Sequence, residues 1–484
     1  MYYSKLIIIE RVEQIEVLIK CSDSQSVFLS LSPEVGLILR EKNIKFVNTL
    51  QYFTTVDHST LVMRSHAVID LLRENYLISE DVFDNESYKV TSFFYLRSVL
   101  NYMLLILSIV DNAIKDLGPK EIIISGLSSD NLCSGLEIND YLYISILNDY
   151  CKRNNVKFNC INNVKVEGED KWKRKVVSKV FLFVGHLLYE FQIIFFKLLY
   201  KNKKFVIGTG FEYNINRAVD DIADTIQSAV RVYINPSKKD IKNNIVDFIK
   251  GRAYFFAYVP SRFIFRKSKI ADKYRELTSR YEKLIYKNSA LFDFRGVFVG
   301  EYILRYFKSP LFSEVKRIEC YNYFISRILS LNNILTAVAP HNVGFNAVLG
   351  EQCKKKGIPA FVISHGTATL QSGEAMVEWG EHSRYIMGNN FPYILTQTSS
   401  QAEFLRNRDK KSRRIIEVNP IIYANIQGYD RYKLKNKLYG NNKNKIIIVH
   451  TGTPVQSRFF VPWIYETLEE YVSNINDVIE ALRD

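Results

Sequence analysis

The sequence predicts an α/β protein built on parallel, Rossmann-like sheets. Three observations carry that expectation. Short β-branched runs alternate with helical ones along most of the 484 residues, the order a parallel sheet requires. The most apolar runs, Glu121-Ile-Ile-Ile-Ser125 and Leu335-Thr-Ala-Val-Ala339 among them, read as buried strands. Each of the best strands in the C-terminal half runs into a polar loop, and in an open parallel sheet those loops line the ligand crevice.

The elements follow in order. Over residues 1–165, an N-terminal α/β domain, strands are expected at Lys5–Glu10, Val27–Leu31, Lys45–Leu50, Glu121–Ser125 and Val156–Asn162. Helices are expected at Pro33–Glu41, Ser59–Tyr76, Tyr88–Asp116 and Asp140–Arg153. The loop Gly126–Asn131 reads as a helix cap. Residues 166–203 form a separate element, a basic run at Lys171-Trp-Lys-Arg-Lys175 leading into an apolar helix over Val176–Tyr200. The helix is long enough to span a bilayer. Lys179, His186, Glu190 and Lys197 nevertheless fall on one narrow stripe, and their charges argue against a simple span. Two readings stay open: a helix lying in a membrane interface, or a core helix with a solvated stripe. Arg252-Ala-Tyr-Phe-Phe-Ala-Tyr258 and Arg262-Phe-Ile-Phe-Arg-Lys267 repeat the basic-aromatic mixture and favour membrane contact.

Residues 204–425 read as a Rossmann-like domain. Its first strand runs into Gly208-Thr209-Gly210, and Ala229–Ile234 is the next. Leu335–Ala339 leads to Pro340-His341-Asn342, then to a helix with a cationic last turn and a stop at Gly357, as the helix dipole and a left-handed glycine favour. Pro359–Ile363 follows and enters Ser364-His365-Gly366-Thr367. The acidic segment holding Glu374, Glu378 and Glu381 has no clean period and is expected to fold over the crevice. Tyr393–Gln397 and Arg414–Val418 are strands, and Ser399-Ser400 caps the helix between them. After a polar linker, Lys445–His450 and the helix Trp463–Leu482 make residues 443–484 the first β-α unit of a second, incomplete Rossmann domain.

Composition narrows the function. With 47% hydrophobic and 24% charged residues the chain is globular rather than disordered. Tyr and Phe, 31 of each, exceed what a core needs and imply aromatic surface in contact with something. The net charge of +14 favours an anionic partner, although an even scatter of Lys is also what compositional bias leaves. No basic-aromatic or helix-turn-helix pattern gathers that charge, so nucleic acid is not expected. Cys21, Cys133, Cys151, Cys160, Cys320 and Cys353 show no metal-site spacing and read as reduced thiols of a cytoplasmic protein. The opening apolar run is too short for a signal peptide.

His341, His365 and His450, three of the seven histidines, each directly follow a strongly apolar strand. There an imidazole can act as a general base or hold a phosphate oxygen. No zincin, EF-hand or Asp-x-Asp spacing occurs, so neither metal nor other cofactor is expected.

The order strand, helix, Gly357-Ile-Pro359, strand, Ser364-His365-Gly366-Thr367, strand, Ser399-Ser400 helix, strand, Asn419-Pro420, linker, strand, Gly452-Thr453-Pro454 resembles the GT-B glycosyltransferases that build bacterial capsule and O-antigen. His365-Gly366-Thr367 is also similar to the motif of CDP-glycerol glycerophosphotransferases, with Ala368-Thr369-Leu370 where that family has Pro and Lys. Non-hydrolysing UDP-sugar 2-epimerases share the two-domain plan. The resemblance spans residues 334–465. It implies transfer of a sugar from a nucleotide-sugar to a growing surface polysaccharide or its lipid-linked acceptor, in a cytoplasmic protein peripheral on the inner, anionic membrane face. The glycerophosphotransferase and the epimerase are the alternatives. It further implies His365 as catalytic base or phosphate ligand, with His341, Asn342, Gly366, Thr367 and Glu381 facing substrate. His450, Thr451, Gly452, Thr453 and Arg458 would face the donor phosphates. Most donor contacts would then lie beyond Asp484, leaving the 484-residue chain inactive by itself.

Overall fold

Lys5-Leu-Ile-Ile-Ile9 shows how the sheets are built. Leu6 and Ile8 enter one apolar cluster and Ile7 and Ile9 another, on the opposite face. A strand covered on both faces needs a continuous apolar run rather than alternation. The computed structural model describes residues 3–76, 86–126, 140–162, 186–209, 213–226, 229–234, 245–256, 270–331, 333–363, 373–408 and 414–418, with 476 and 480.

The elements, in order, begin β1 (Lys5–Ile9), α1 (Ile15–Ile19), β2 (Ser26–Ser30), α2 (Pro33–Glu41) and β3 (Phe46–Asn48). Two long helices follow, α3 (Thr55–Glu74) and α4 (Glu86–Leu117), then β4 (Glu121–Gly126), α5 (Asp140–Arg153) and β5 (Lys157–Asn162). Helix α6 covers residues 186–199. The second half opens with β6 (Lys204–Thr209), α7 (Tyr213–Thr225), β7 (Ala229–Ile234), α8 (Ile245–Ile249) and β8 (Ala253–Phe256). Between them and β11 lie α9 (Ile270–Lys287), α10 (Ser289–Phe292), the small hairpin β9 (Asp293–Phe294) and β10 (Val297–Phe298), α11 (Gly300–Tyr306) and α12 (Phe312–Ile328). The remainder is β11 (Ile334–Ala339), α13 (Phe345–Lys355), β12 (Ala360–Ile363), α14 (Gly373–Ile386), β13 (Tyr393–Thr396), α15 (Ser399–Arg408) and β14 (Arg414–Glu417).

Apart from the antiparallel β9–β10 hairpin, these strands form two parallel sheets. The five-stranded sheet has the order β3-β2-β1-β4-β5, and the seven-stranded sheet β14-β13-β12-β11-β6-β7-β8. In each, the first strand sits inside and the order reverses beside it, between β1 and β4 and between β6 and β11. That is the Rossmann-like order, and its reversal point is where such sheets bind ligands.

Helix α4 joins the halves. It is apolar and long enough to cross a membrane, but 89% of its most apolar window is buried inside the protein. One core cluster runs from Leu6 and Ile8 through α4 residues such as Leu100 and Leu104 to Ala337 and Val362.

Both parallel sheets among the described residues are made by residues before 418; the unit expected at 443–484 lies outside the described residues, except for 476 and 480. Other sequence expectations need correction. The acidic segment expected to be an irregular cover is helix α14, packed against α3 and α4. Its period was hidden because the buried stripe contains a carboxylate, Glu381, whose partner Arg73 is 308 residues away. The basic-aromatic run after Arg252 supplies β8, whose Ala253, Tyr254 and Phe256 are buried. The polar stripe on α6 is only partly solvated: Glu190 bonds Arg327 and the Tyr323 hydroxyl, while Lys197 is exposed and Lys179 lies outside the described residues. Thr398, one residue before the expected Ser399-Ser400 cap, accepts the Gln401 N–H.

Candidate functional site

The two reversal points differ in chemistry. In the five-stranded sheet the chain leaves β1 through Glu10 and Arg11 with no glycine. The Gln14 side chain fills the position, accepting from the Glu10 and Arg11 N–H groups at 2.9 and 3.0 Å and donating to the Ser125 carbonyl at 2.6 Å. Backbone donors that would otherwise face an anion are used internally.

In the seven-stranded sheet β6 ends in Gly208-Thr209. A Cβ on Gly208 would lie 2.6 Å from the Val219 side chain, so glycine here is what lets α7 press onto β6. Thr209 is 5% exposed and its hydroxyl has no hydrogen-bond partner among the described residues. Gly208 pairs with Val338 of β11, which sets Thr209 level with Ala339 at the mouth of the sheet. Ile363, at the end of β12, pairs with Leu395 at the same edge.

Pro340, His341 and Asn342 leave β11 at this point. His341 is half-buried, and its Nδ1 accepts the Val343 N–H at 3.4 Å while the Asn346 amide lies 3.3 Å from both ring nitrogens. It therefore shapes the start of α13. Asn342 is wholly buried: its N–H donates to the Ile386 carbonyl at 2.7 Å and its amide to Asn390 Oδ1 at 3.1 Å. Asn390 donates to Ser87 Oγ at 3.0 Å, and the Ser87 N–H and hydroxyl bond Glu351. Asn342 thus positions the loop from behind, and a ligand would feel it only indirectly.

Both reversal-point loops rest on α4. The Gly344 N–H donates to Thr91 Oγ1 at 3.0 Å, and the Tyr102 hydroxyl lies 3.5 Å from Glu10 Oε1. Thr91 and Tyr102 are eleven residues apart, about 16 Å along a helix axis. Arg97 and Asn101 lie between them, one turn apart on one face. Both are buried, and the Asn101 amide has no partner among the described residues.

Beside this stretch lies a charged cluster between α3 and α14. Glu381, 2% exposed, accepts from Arg73 at 2.8 Å and from the Tyr385 hydroxyl at 3.3 Å, with Arg384 at 3.4 Å. Burial by itself would raise its carboxyl, but the charges of Arg384 and Arg73, the Arg73 hydrogen bond and the charge of Arg97 outweigh it and hold the group below the ordinary carboxylate range. Glu381 is thus a fixed anion and a weak base. His66, Asp70 and Glu381 present ligand atoms within 4.8 Å of one another. That spacing could suit a cation; Arg73 bonds one oxygen of each carboxylate and the other oxygen of each faces His66, so a metal held there would sit beside a guanidinium charge.

Of the residues singled out by sequence, the structure brings His341 and Asn342 to the β11 loop and puts Glu381 against α3. His365, Gly366, Thr367, His450, Thr451, Gly452, Thr453 and Arg458 lie outside the described residues. Sequence reading missed Gln14, Arg73, Arg97 and Asn101. For Arg97 and Asn101 a signal existed, since two polar residues one turn apart interrupt a helix apolar enough, by length and composition, to cross a membrane. No protein-family model matches the chain, and no curated protein matches it.

Proposed function

We propose that this chain is a glycosyltransferase of the GT-B plan, moving a sugar from a nucleotide-sugar to a growing bacterial surface polysaccharide or its lipid-linked acceptor at the inner face of the membrane. The observation that supports it best is that two reversal-point loops, from two Rossmann-like sheets, rest on one helix at points about 16 Å apart. Two substrates bound at the two sheet edges would face one another along that stretch.

The seven-stranded sheet takes the donor in this reading. Its β6 turn has the packing glycine and a buried hydroxyl, and helix α7 offers a positive N-terminal end for a diphosphate. The five-stranded sheet takes the acceptor, because Gln14 already uses the equivalent backbone donors. His365 is assigned the base: the acceptor oxygen bonds the anomeric carbon, its proton passes to the imidazole, and the nucleotide (a diphosphate from UDP-, CDP- or GDP-sugars, a monophosphate from CMP-sugars) leaves with the electron pair of the broken bond. The Thr451–Thr453 turn and Arg458 are assigned to the donor side, and no metal is required.

The test is a thermal-shift screen of the full chain against UDP-, CMP-, CDP- and GDP-sugars. Specific binding stabilises by about 2.7 kcal/mol at a hundredfold excess over Kd. The expected result is a shift with one nucleotide family, reduced in Thr209→Val and His365→Ala. No shift with any of the four would overturn the reading.

A further inference from the structure

Helix α6 is apolar on two faces. Tyr189, Ile193 and Phe196 are buried against β8 and α12, with the Phe196 and Tyr254 rings 4.5 Å apart and Tyr189 stacked on Phe324 at 4.5 Å. The Glu190 carboxylate also points inward, to Arg327. The outward face is left to large apolar side chains: Leu188, Phe191 (67% exposed), Phe195 and Leu198 (74% exposed). A surface helix normally turns its charges outward and its apolar stripe inward; here the carboxylate is paired at the edge of the packed face, and the second apolar face is exposed.

Helix α8 extends that face. Phe248 and Ile249 (76% exposed) project from it, and the Phe248 ring lies 5.9 Å from Tyr254, which also contacts α6. The α8–β8 turn abuts the end of α6, where a Cβ on Gly251 would lie 3.6 Å from the Tyr200 hydroxyl. The rim is basic: Lys197, Lys201, Lys203, Lys250 and Arg252 are all exposed.

We infer that the outer face of α6 and α8 is a docking surface for an anionic lipid bilayer, with the aromatic and leucine side chains entering the acyl boundary and the lysine rim against the headgroups. The inference rests on the peripheral placement proposed above and gives it a surface. Charge selects this occupant. A membrane supplies apolar interior and negative surface together. A second copy docked by the same face would set one basic rim against another.

The experiment is co-sedimentation of the full chain with vesicles of phosphatidylcholine alone and with about one-third phosphatidylglycerol, where each basic residue near the surface contributes about 1 kcal/mol, or roughly fivefold. The inference expects binding to the anionic vesicles only, at least tenfold weaker in Phe191→Asp/Phe195→Asp. Lys201→Glu/Lys203→Glu should also weaken binding and flatten its salt dependence. Leu198→Trp should blue-shift its emission on anionic vesicles, a readout that leaves the face intact. Equal binding to neutral vesicles, no binding, no effect of the substitutions, or a dimer in solution that Phe191→Asp dissociates would each overturn it. Vesicle binding is read without donor, so its failure leaves nucleotide-sugar binding to be judged on its own.

Discussion

Replacing Glu381 by Gln removes the charge at the centre of the α3–α14 contact while keeping its shape. The carboxylate side chain is 3% exposed and Arg73 is 14% exposed, whereas Arg384 at 51% can turn to water. The cost therefore falls on Arg73, which keeps Asp70 but loses its buried anion, and on Arg97, which loses a nearby compensating charge. Breaking a buried pair by removing one partner costs about 3–5 kcal/mol. Urea unfolding followed by circular dichroism should show a loss of about 3 kcal/mol near pH 7. Adding Arg73→Met should restore part of it, because the two residues are directly coupled.

The pH dependence has a definite sign. The folded-state carboxyl is held below its ordinary value, so its contribution is present above the unfolded pKa and is lost as pH falls through the folded one. The gap between wild type and Glu381→Gln should therefore close in acid, below the ordinary carboxylate range. A variant within about 0.5 kcal/mol of wild type at neutral pH, the scatter of an ordinary surface change, would refute the reasoning. So would a gap that does not change with pH.

Two glycines test the loop geometry. A Cβ on Gly388 would lie 1.8 Å from Asn342 Nδ2, so Gly388→Ala should cost about 1–3 kcal/mol as an overpacked site. Hydrogen exchange should also quicken at the Asn342 amide, which now donates to Ile386. Gly208→Ala meets Val219 at 2.6 Å and should cost a similar amount, about 1–3 kcal/mol by thermal denaturation. Val219→Ala in the same chain should relieve it.

Much of the fold was legible because buried parallel strands are a local property of composition. Leu6–Ile9 and Ile122–Ile124 carry apolar side chains to both faces and announce themselves without reference to anything distant. The left-handed stop at Gly357, with φ of 65°, was legible for the same reason. The β8 strand was harder, since an aromatic run flanked by Arg252 carries the same letters whether it enters a sheet or a membrane. Helix α14 was hidden by Glu381, a charge that belongs inside because Arg384, Arg73 and Arg97 are there to meet it. In α6 the sequence identified the polar stripe, but only the fold could say which way each side chain turned: Glu190 goes to Arg327 and Tyr323, Phe196 goes inward, and Phe191 and Phe195 go outward. Gln14 escaped notice because its partners are backbone groups, including a carbonyl on a strand 111 residues away.

The central claim is that a nucleotide-sugar binds where β6 and β11 part and faces the β1 loop across α4. Hydrogen–deuterium exchange of the full chain, with and without the donor that stabilises it, measures this most directly. Donor binding there should slow exchange at the start of α7 and in the segment from Pro340 to Gly344, with a smaller effect at Glu10 and Arg11. Protection confined to other parts of the chain, or none at donor concentrations that shift Tm, would contradict it.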